Sequence, residues 1–167
     1  MKRLSAEELL ETRDLSSFTS ASVLGALSEE SILWLLERGK ILAMDQGEYL
    51  FAPSESGNSF HAILQGGVSY YKYHLGKYAF IRDYGSGEQI GFMSLIALHD
   101  RVGRADCHAD TIALEIDSNL FHAFHNERPA EFGILMLNLA REMARSLRTA
   151  DNLLVEKSGM GHINSPL

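Results

Sequence analysis

One cysteine, three prolines and a single tryptophan are all that 167 residues contain of these types. The scarcity excludes several protein classes. A lone thiol, Cys107, builds neither a disulfide framework nor a multi-thiol zinc or iron–sulfur site, and it fits a reducing, cytoplasmic location. No apolar run approaches the roughly 18 residues that a membrane-spanning helix needs. The start, Met1-Lys-Arg-Leu-Ser-Ala-Glu-Glu8, has no apolar centre of the signal-peptide kind. Basic charge is also short. A net charge of −7 argues against a broad nucleic-acid surface. Nucleophile-elbow, phosphate-loop and His-Glu-x-x-His motifs are missing too.

What is present is a run of glycines between short alternating segments. Gly47-Glu-Tyr-Leu-Phe51, Gly57 to Leu64, Gly66-Gly67-Val-Ser-Tyr-Tyr71, a polar hairpin at Gly76, and Gly85-Ser-Gly87-Glu-Gln-Ile-Gly91 follow one another. Period-two patterning with a turn signal every 8–12 residues or so predicts an antiparallel sandwich or barrel. We expect about eight strands within 40–117. Ser5-Ala-Glu-Glu8 has the form of a capping box, and 5–13 reads as helix. Ser28 to Gly39 is a capped helix with acids in its first turn. Asp117 or Ser118 caps a short helix after the last strand. Pro129 opens a long helical segment, 129–156, whose Phe132, Met136, Leu139, Met143, Ser146, Ala150 and Leu153 keep a strict 4-3 spacing. About 28 residues at 1.5 Å each span roughly 42 Å, longer than a small roll covers. The division read from these signals is 1–27 N-terminal helical segment, 28–128 β-roll, 129–156 long helix, and 157–167 flexible tail.

These segments, in this order, resemble the sensory domain of cyclic-nucleotide-binding proteins, especially bacterial regulators of the catabolite activator and fumarate–nitrate regulator type. Leu27 to Glu37 is similar to the family's opening helix. Asp45-Gln-Gly-Glu-Tyr-Leu-Phe51 is similar to its first turn and strand, and Ser59-Phe-His-Ala-Ile-Leu-Gln-Gly-Gly-Val68 to the strand and turn that follow. Met136 to Leu147 is similar to the dimerisation helix. The resemblance implies an antiparallel, jelly-roll-like β-roll with N-terminal helices and a long C-terminal helix. It implies a homodimer, a small-molecule effector such as a cyclic nucleotide, and a regulatory, non-enzymatic role in signal transduction.

At the ligand site the chain departs from the nucleotide-binding pattern. The segment is Gly87-Glu-Gln-Ile-Gly91-Phe92-Met93-Ser94-Leu95, and Phe92 stands where the resemblance puts a ribose-binding glutamate. A phenyl ring accepts no hydrogen bond from a ribose hydroxyl. Leaving that hydroxyl unpaired costs about 1–3 kcal/mol, tenfold or more in affinity. For the phosphate-pairing arginine there are two candidates. Arg104-Ala105 fits the family's arginine-plus-small-residue step best, and Arg101 fits if the loop is shorter. Thr149 is the hydroxyl the long helix offers nearest the expected base position. The candidate ligand residues are therefore Gly91, Phe92, Met93, Ser94, Arg101, Arg104, Ala105 and Thr149. They would line a small apolar pocket closed by the helix near Arg148–Asp151.

The favoured reading is a sensory domain that is not a standard cAMP binder. The alternatives are a genuine cAMP- or cGMP-binding regulator and, from another class, a cupin-like metal enzyme. The histidines speak against the last. None is paired one residue apart on a strand, and His122 and His125, three apart on a short helix, read as a surface pair. Only eleven residues follow Glu156, too few for a DNA-reading helix-turn-helix domain. The expectation is a stand-alone domain with no direct DNA contact, whose signal passes to another protein.

Overall fold

The alternation that predicts strands needs two layers to bury it, and the computed structural model, which describes residues 1–19 and 22–158, supplies them. Among these residues are nine strands and six helices. They are β1 (Lys2–Leu4), α1 (Ala6–Leu10), α2 (Ser16–Thr19), α3 (Glu29–Arg38), β2 (Lys40–Met44), β3 (Tyr49–Phe51), β4 (Ser59–Gln65), β5 (Gly67–His74), β6 (Lys77–Gly85), β7 (Gln89–Ile90), α4 (Phe92–Ala97), β8 (Gly103–Cys107), β9 (Thr111–Asp117), α5 (Ser118–Glu127) and α6 (Pro129–Ser158).

The strands form a five-stranded sheet, β1-β2-β9-β4-β7, facing a four-stranded sheet, β3-β8-β5-β6. Every recorded pairing is antiparallel. This is the expected β-roll, with eight strands between 40 and 117 and one more that was not expected. Lys2–Leu4 pairs with Ile41–Ala43 at the sheet edge, so the N-terminal segment begins as strand and turns helical only at Ala6. The capping box is real: Ser5 Oγ accepts from Glu8 N–H and Glu8 accepts from Ser5 N–H.

Two cores result from β4 and β9 being buried on both faces. Phe60, Ala62, Leu64, Leu114 and Ile116 pack outward against α3, α5 and α6. Ile63, Ala113 and Met44 point the other way and meet Phe51, Val68, Ala105 and Cys107 between the sheets. Gly39 ends α3 as expected, but not in a left-handed turn, since its φ is −76°. The need there is closeness, because a Cβ would lie 2.5 Å from Leu114.

Helix α6 is one unbroken helix from Pro129 to Ser158. The expected tail 157–167 lies outside the described residues from 159 onward. Of the 4-3 stripe expected to face a partner, the N-terminal part packs on the chain's own core, while Ala150 and Leu153 at its far end are exposed. Leu139 is fully buried, and Phe132, Met136 and Met143 are half-buried on the chain's own core. The helix carries a second 4-3 row one residue on: Gly133, Leu137, Ala140, Ala144, Leu147, Asp151 and Leu154, all exposed.

Candidate functional site

Between β7 and β8 the chain makes the turn that the resemblance singles out. Gly91 takes φ +96° and caps α4 with no side-chain hydrogen bond. That left-handed geometry already favours glycine, and space demands it as well. A Cβ would lie 2.5 Å from Arg101 Nη1. The Arg101 side chain therefore lies directly on the Gly91 backbone. Its Nη1 donates to Gly91 O at 3.0 Å, and its Nη2 donates to Ser59 O at 2.7 Å and Ser59 Oγ at 3.0 Å. The guanidinium carbon sits 4.4 Å from the centre of the Phe51 ring. Arg101 is only 4% exposed, and burial lowers its pKa from the usual value. No carboxylate lies within ion-pair distance of it among the described residues.

Arg104, the other candidate, does not join this group. Strand β8 alternates Gly103, Ala105 and Cys107 inward with Arg104 and Asp106 outward. The Arg104 side chain is about half-exposed and donates from Nε to Asp106 at 2.5 Å. Strand register thus separates the two arginines: Arg101 lies on the Gly91 turn and Arg104 points outward. Ala105 is buried between the sheets.

Phe92 does not line a pocket. It is fully buried and turns toward the helices, with Phe60 at 5.4 Å edge-on and Phe121 at 6.0 Å. Met93 is 68% exposed on the same short helix, and Ser94 is buried. Thr149 does not reach the turn. It lies on the solvated end of α6 and bonds to Arg145 O, and everything from Leu147 to Lys157 is exposed. Within one chain the expected pocket is therefore not closed by Arg148–Asp151. The larger recorded groove, about 990 Å³, lies elsewhere, between β1, α1 and α3, lined by Arg3, Leu4, Leu10, Leu33 and Leu36 among others.

The residues that share the site with Arg101 are ones the motif comparison passed over. His61 of β4 faces between the sheets, stacked on Phe51 with ring centres 6.0 Å apart. It is 3% exposed, and its Nδ1 is buried with no hydrogen-bond partner among the described residues. Its Nε2 lies 3.9 Å from Glu115, which pairs with Lys40 at 2.9 Å. Burial, then the charges of Arg101 and Lys40, push the His61 pKa down to about 3. Tyr70 and Tyr84 continue the aromatic lining beyond Phe51. Period two already places Ser59, His61 and Ile63 on one face. What it leaves open is that this face meets the arginine.

The site is tied to α6 through residues 22–25. Val23 N–H and Ser22 Oγ both donate to Gly87 O at 3.0 Å. Asn138 on α6 donates to Val23 O at 3.2 Å and Gly25 O at 2.7 Å, and Ser22 Oγ also bonds to Glu142.

Comparison with known proteins agrees with this fold. The model of the cyclic nucleotide-binding domain matches residues 41–128. No curated protein matches the chain. Among solved structures, a cyclic nucleotide-binding domain from Methylobacillus flagellatus is 20% identical with a TM-score of 0.78, covering 97% of this chain and 91% of that one. The catabolite activator protein of Thermus thermophilus is 27% identical with a TM-score of 0.70, over 83% of this chain and 63% of that one. The guanosine-bound regulatory subunit of a cAMP-independent protein kinase A from Trypanosoma cruzi is 18% identical with a TM-score of 0.67, over 92% and 53%. With 41–128 matched out of 167 residues, the chain belongs to the cyclic nucleotide-binding domain family.

Proposed function

We propose that the chain is a non-enzymatic sensory module that binds an anionic small molecule at Arg101 and relays its presence through α6. The observation that carries this reading is the state of Arg101. A cation buried without a carboxylate partner is costly unless something negative completes it. Its present acceptors are three neutral oxygens. Arginine presents five N–H donors, so two remain for an incoming anion.

A standard cyclic nucleotide suits half of this site. Arg101 and the Gly91 turn match its phosphate. No carboxylate stands at the ribose position, because Phe92 occupies it and packs into the core. The module is therefore not a standard cAMP receptor, even though its relatives include the Thermus catabolite activator. The titration that tests this is calorimetry with cAMP, cGMP and cyclic dinucleotides on the wild type and Arg101→Ala. Sub-micromolar cAMP affinity, lost in Arg101→Ala, would establish the runner-up, a genuine cyclic-nucleotide regulator.

The module works as a parallel dimer through the outer row of α6. Gly133, Ala140 and Ala144 let two helices approach closely, and Leu137, Leu147 and Leu154 fill the seam. A two-fold pair of about 800 Å² per subunit is of ordinary size. The dimer brings a second α6 to each roll, and the solvated Thr149 end then has a neighbour. A cytoplasmic partner protein receives the signal.

A further inference from the structure

We propose that His61 reads a hydrogen-bond donor on the bound anion, and that the effector is a phosphomonoester in its monoanionic form rather than a cyclic phosphodiester. The proposal rests on the reading of Arg101 as the anion site. It adds a second group to that site and names the ligand class.

The argument starts from two incomplete groups sharing one ring. Arg101 lies over Phe51 at 4.4 Å, and His61 stacks on Phe51 at 6.0 Å. Arg101 has no carboxylate at ion-pair distance among the described residues, and Glu115 and Glu55 act on it only from farther away. Among the described residues His61 Nδ1 has no hydrogen-bond partner although it is fully enclosed. An enclosed polar atom left unpaired in a folded protein is rare and calls for a reason. Tautomer follows from the surroundings. Glu115 Oε2 lies 3.9 Å from Nε2, too far for a hydrogen bond, but its charge favours the tautomer with the ring proton on Nε2. Nδ1 is then a bare acceptor. The charged groups around the ring are Glu115 of β9, Lys40 of β2 and Arg101, with Phe51 of β3 covering it. A histidine held near pKa 3 stays neutral at every physiological pH, so Nδ1 remains an acceptor.

A ligand that satisfies both groups carries negative oxygen for Arg101 and an O–H for His61. A monoanionic phosphomonoester has both on one phosphorus. A cyclic diester has the charge but no P–OH. Sulfate is similar in shape to phosphate, carries no proton near neutral pH and has one more negative charge at pH 5.5, so tighter phosphate binding must come from the donor and not from charge.

The test is a calorimetric titration of the full chain with inorganic phosphate, sulfate, 5′-AMP and cAMP at pH 5.5 and pH 8. At pH 5.5 phosphate and 5′-AMP should bind at least about tenfold more tightly than sulfate and cAMP, the value of one hydrogen bond to a charged group. For 5′-AMP the preference should vanish at pH 8, since the second ionisation of a phosphomonoester lies near pH 6 and removes its P–OH, whereas inorganic phosphate still carries one P–OH there and should keep its preference. His61→Phe should remove the preference and keep sulfate binding. His61→Gln, which restores an acceptor, should keep part of it and serves where the phenylalanine variant does not fold. Equal binding of phosphate and sulfate at pH 5.5, lost in Arg101→Ala, would overturn the role of His61 and leave the anion site standing. Binding of none of the four probes through Arg101 would overturn both. Tight cAMP with no 5′-AMP binding would overturn the ligand class.

Discussion

Replacing Phe92 separates a ligand-facing residue from a core residue. The side chain is 0% exposed and meets Phe60 and Phe121 at 5.4 and 6.0 Å. Truncation to alanine removes the burial of a whole ring and leaves a cavity among rigid aromatic neighbours, which costs about 3–5 kcal/mol. Each edge-on aromatic pair accounts for about 0.5–1.5 kcal/mol of that. For a chain of this size the loss lowers Tm by roughly 6–20 °C. Phe92→Leu keeps most of the volume and loses the ring contacts, so its cost should be about 1–2 kcal/mol. Phe92→Glu buries a carboxylate with no partner and should prevent cooperative folding. Met93→Glu, one residue away and 68% exposed, is the control and should change stability by no more than about 0.5 kcal/mol. Urea denaturation followed by circular dichroism gives all four values. If Phe92→Ala costs less than about 1 kcal/mol, or if Phe92→Glu folds and acquires cAMP affinity, then Phe92 lines a ligand pocket and the packing argument is wrong.

Gly91→Ala should cost more than about 1 kcal/mol from the left-handed backbone alone, and should weaken anion binding because the new methyl lies 2.5 Å from Arg101 Nη1; thermal melts and calorimetry read the two effects. Leu139→Glu and Leu147→Glu should behave oppositely under light scattering: the first unfolds the chain, since Leu139 is fully buried, and the second yields a folded monomer. His61, whose pKa falls from 6.5 to about 3 on folding, takes up a proton more readily in the unfolded chain. Its contribution to stability is therefore complete above about pH 6.5 and is lost as pH falls toward 3, by about 2 kcal/mol at pH 5. His61→Gln should flatten this part of the profile between pH 6.5 and 4 in denaturant titrations, compared directly with the wild type.

Much of the fold is legible in the residue order because its signals are local. Glycine-punctuated alternation marks β2 to β9, and Ser28 and Pro129 open their helices where cap chemistry predicts. Strand β1 is not legible. Lys-Arg-Leu is three residues long, and its only support is a partner some 40 residues away. Where each arginine points turns on register. Starting the β8 alternation at Gly103 sends Arg104 outward, and only the structure fixes that start. The division of α6 between core and surface is not legible for a related reason. Two 4-3 rows run side by side on one helix, and the sequence does not say which row the roll claims. His61 was passed over because β4 is buried on both faces, so hydrophobicity carries no sign of which side holds the site.

Residues 22–25 have a mechanical consequence. Gly87 O holds Ser22 and Val23, while Asn138 holds Val23 and Gly25. The turn before the site and the middle of α6 are thereby strapped to one short peptide. Any shift of the turn that leaves these bonds intact drags the strap, and the strap pulls on the helix at Asn138. The roll and the helix are geared together, and the gear tooth is a stretch of backbone from the opposite end of the chain.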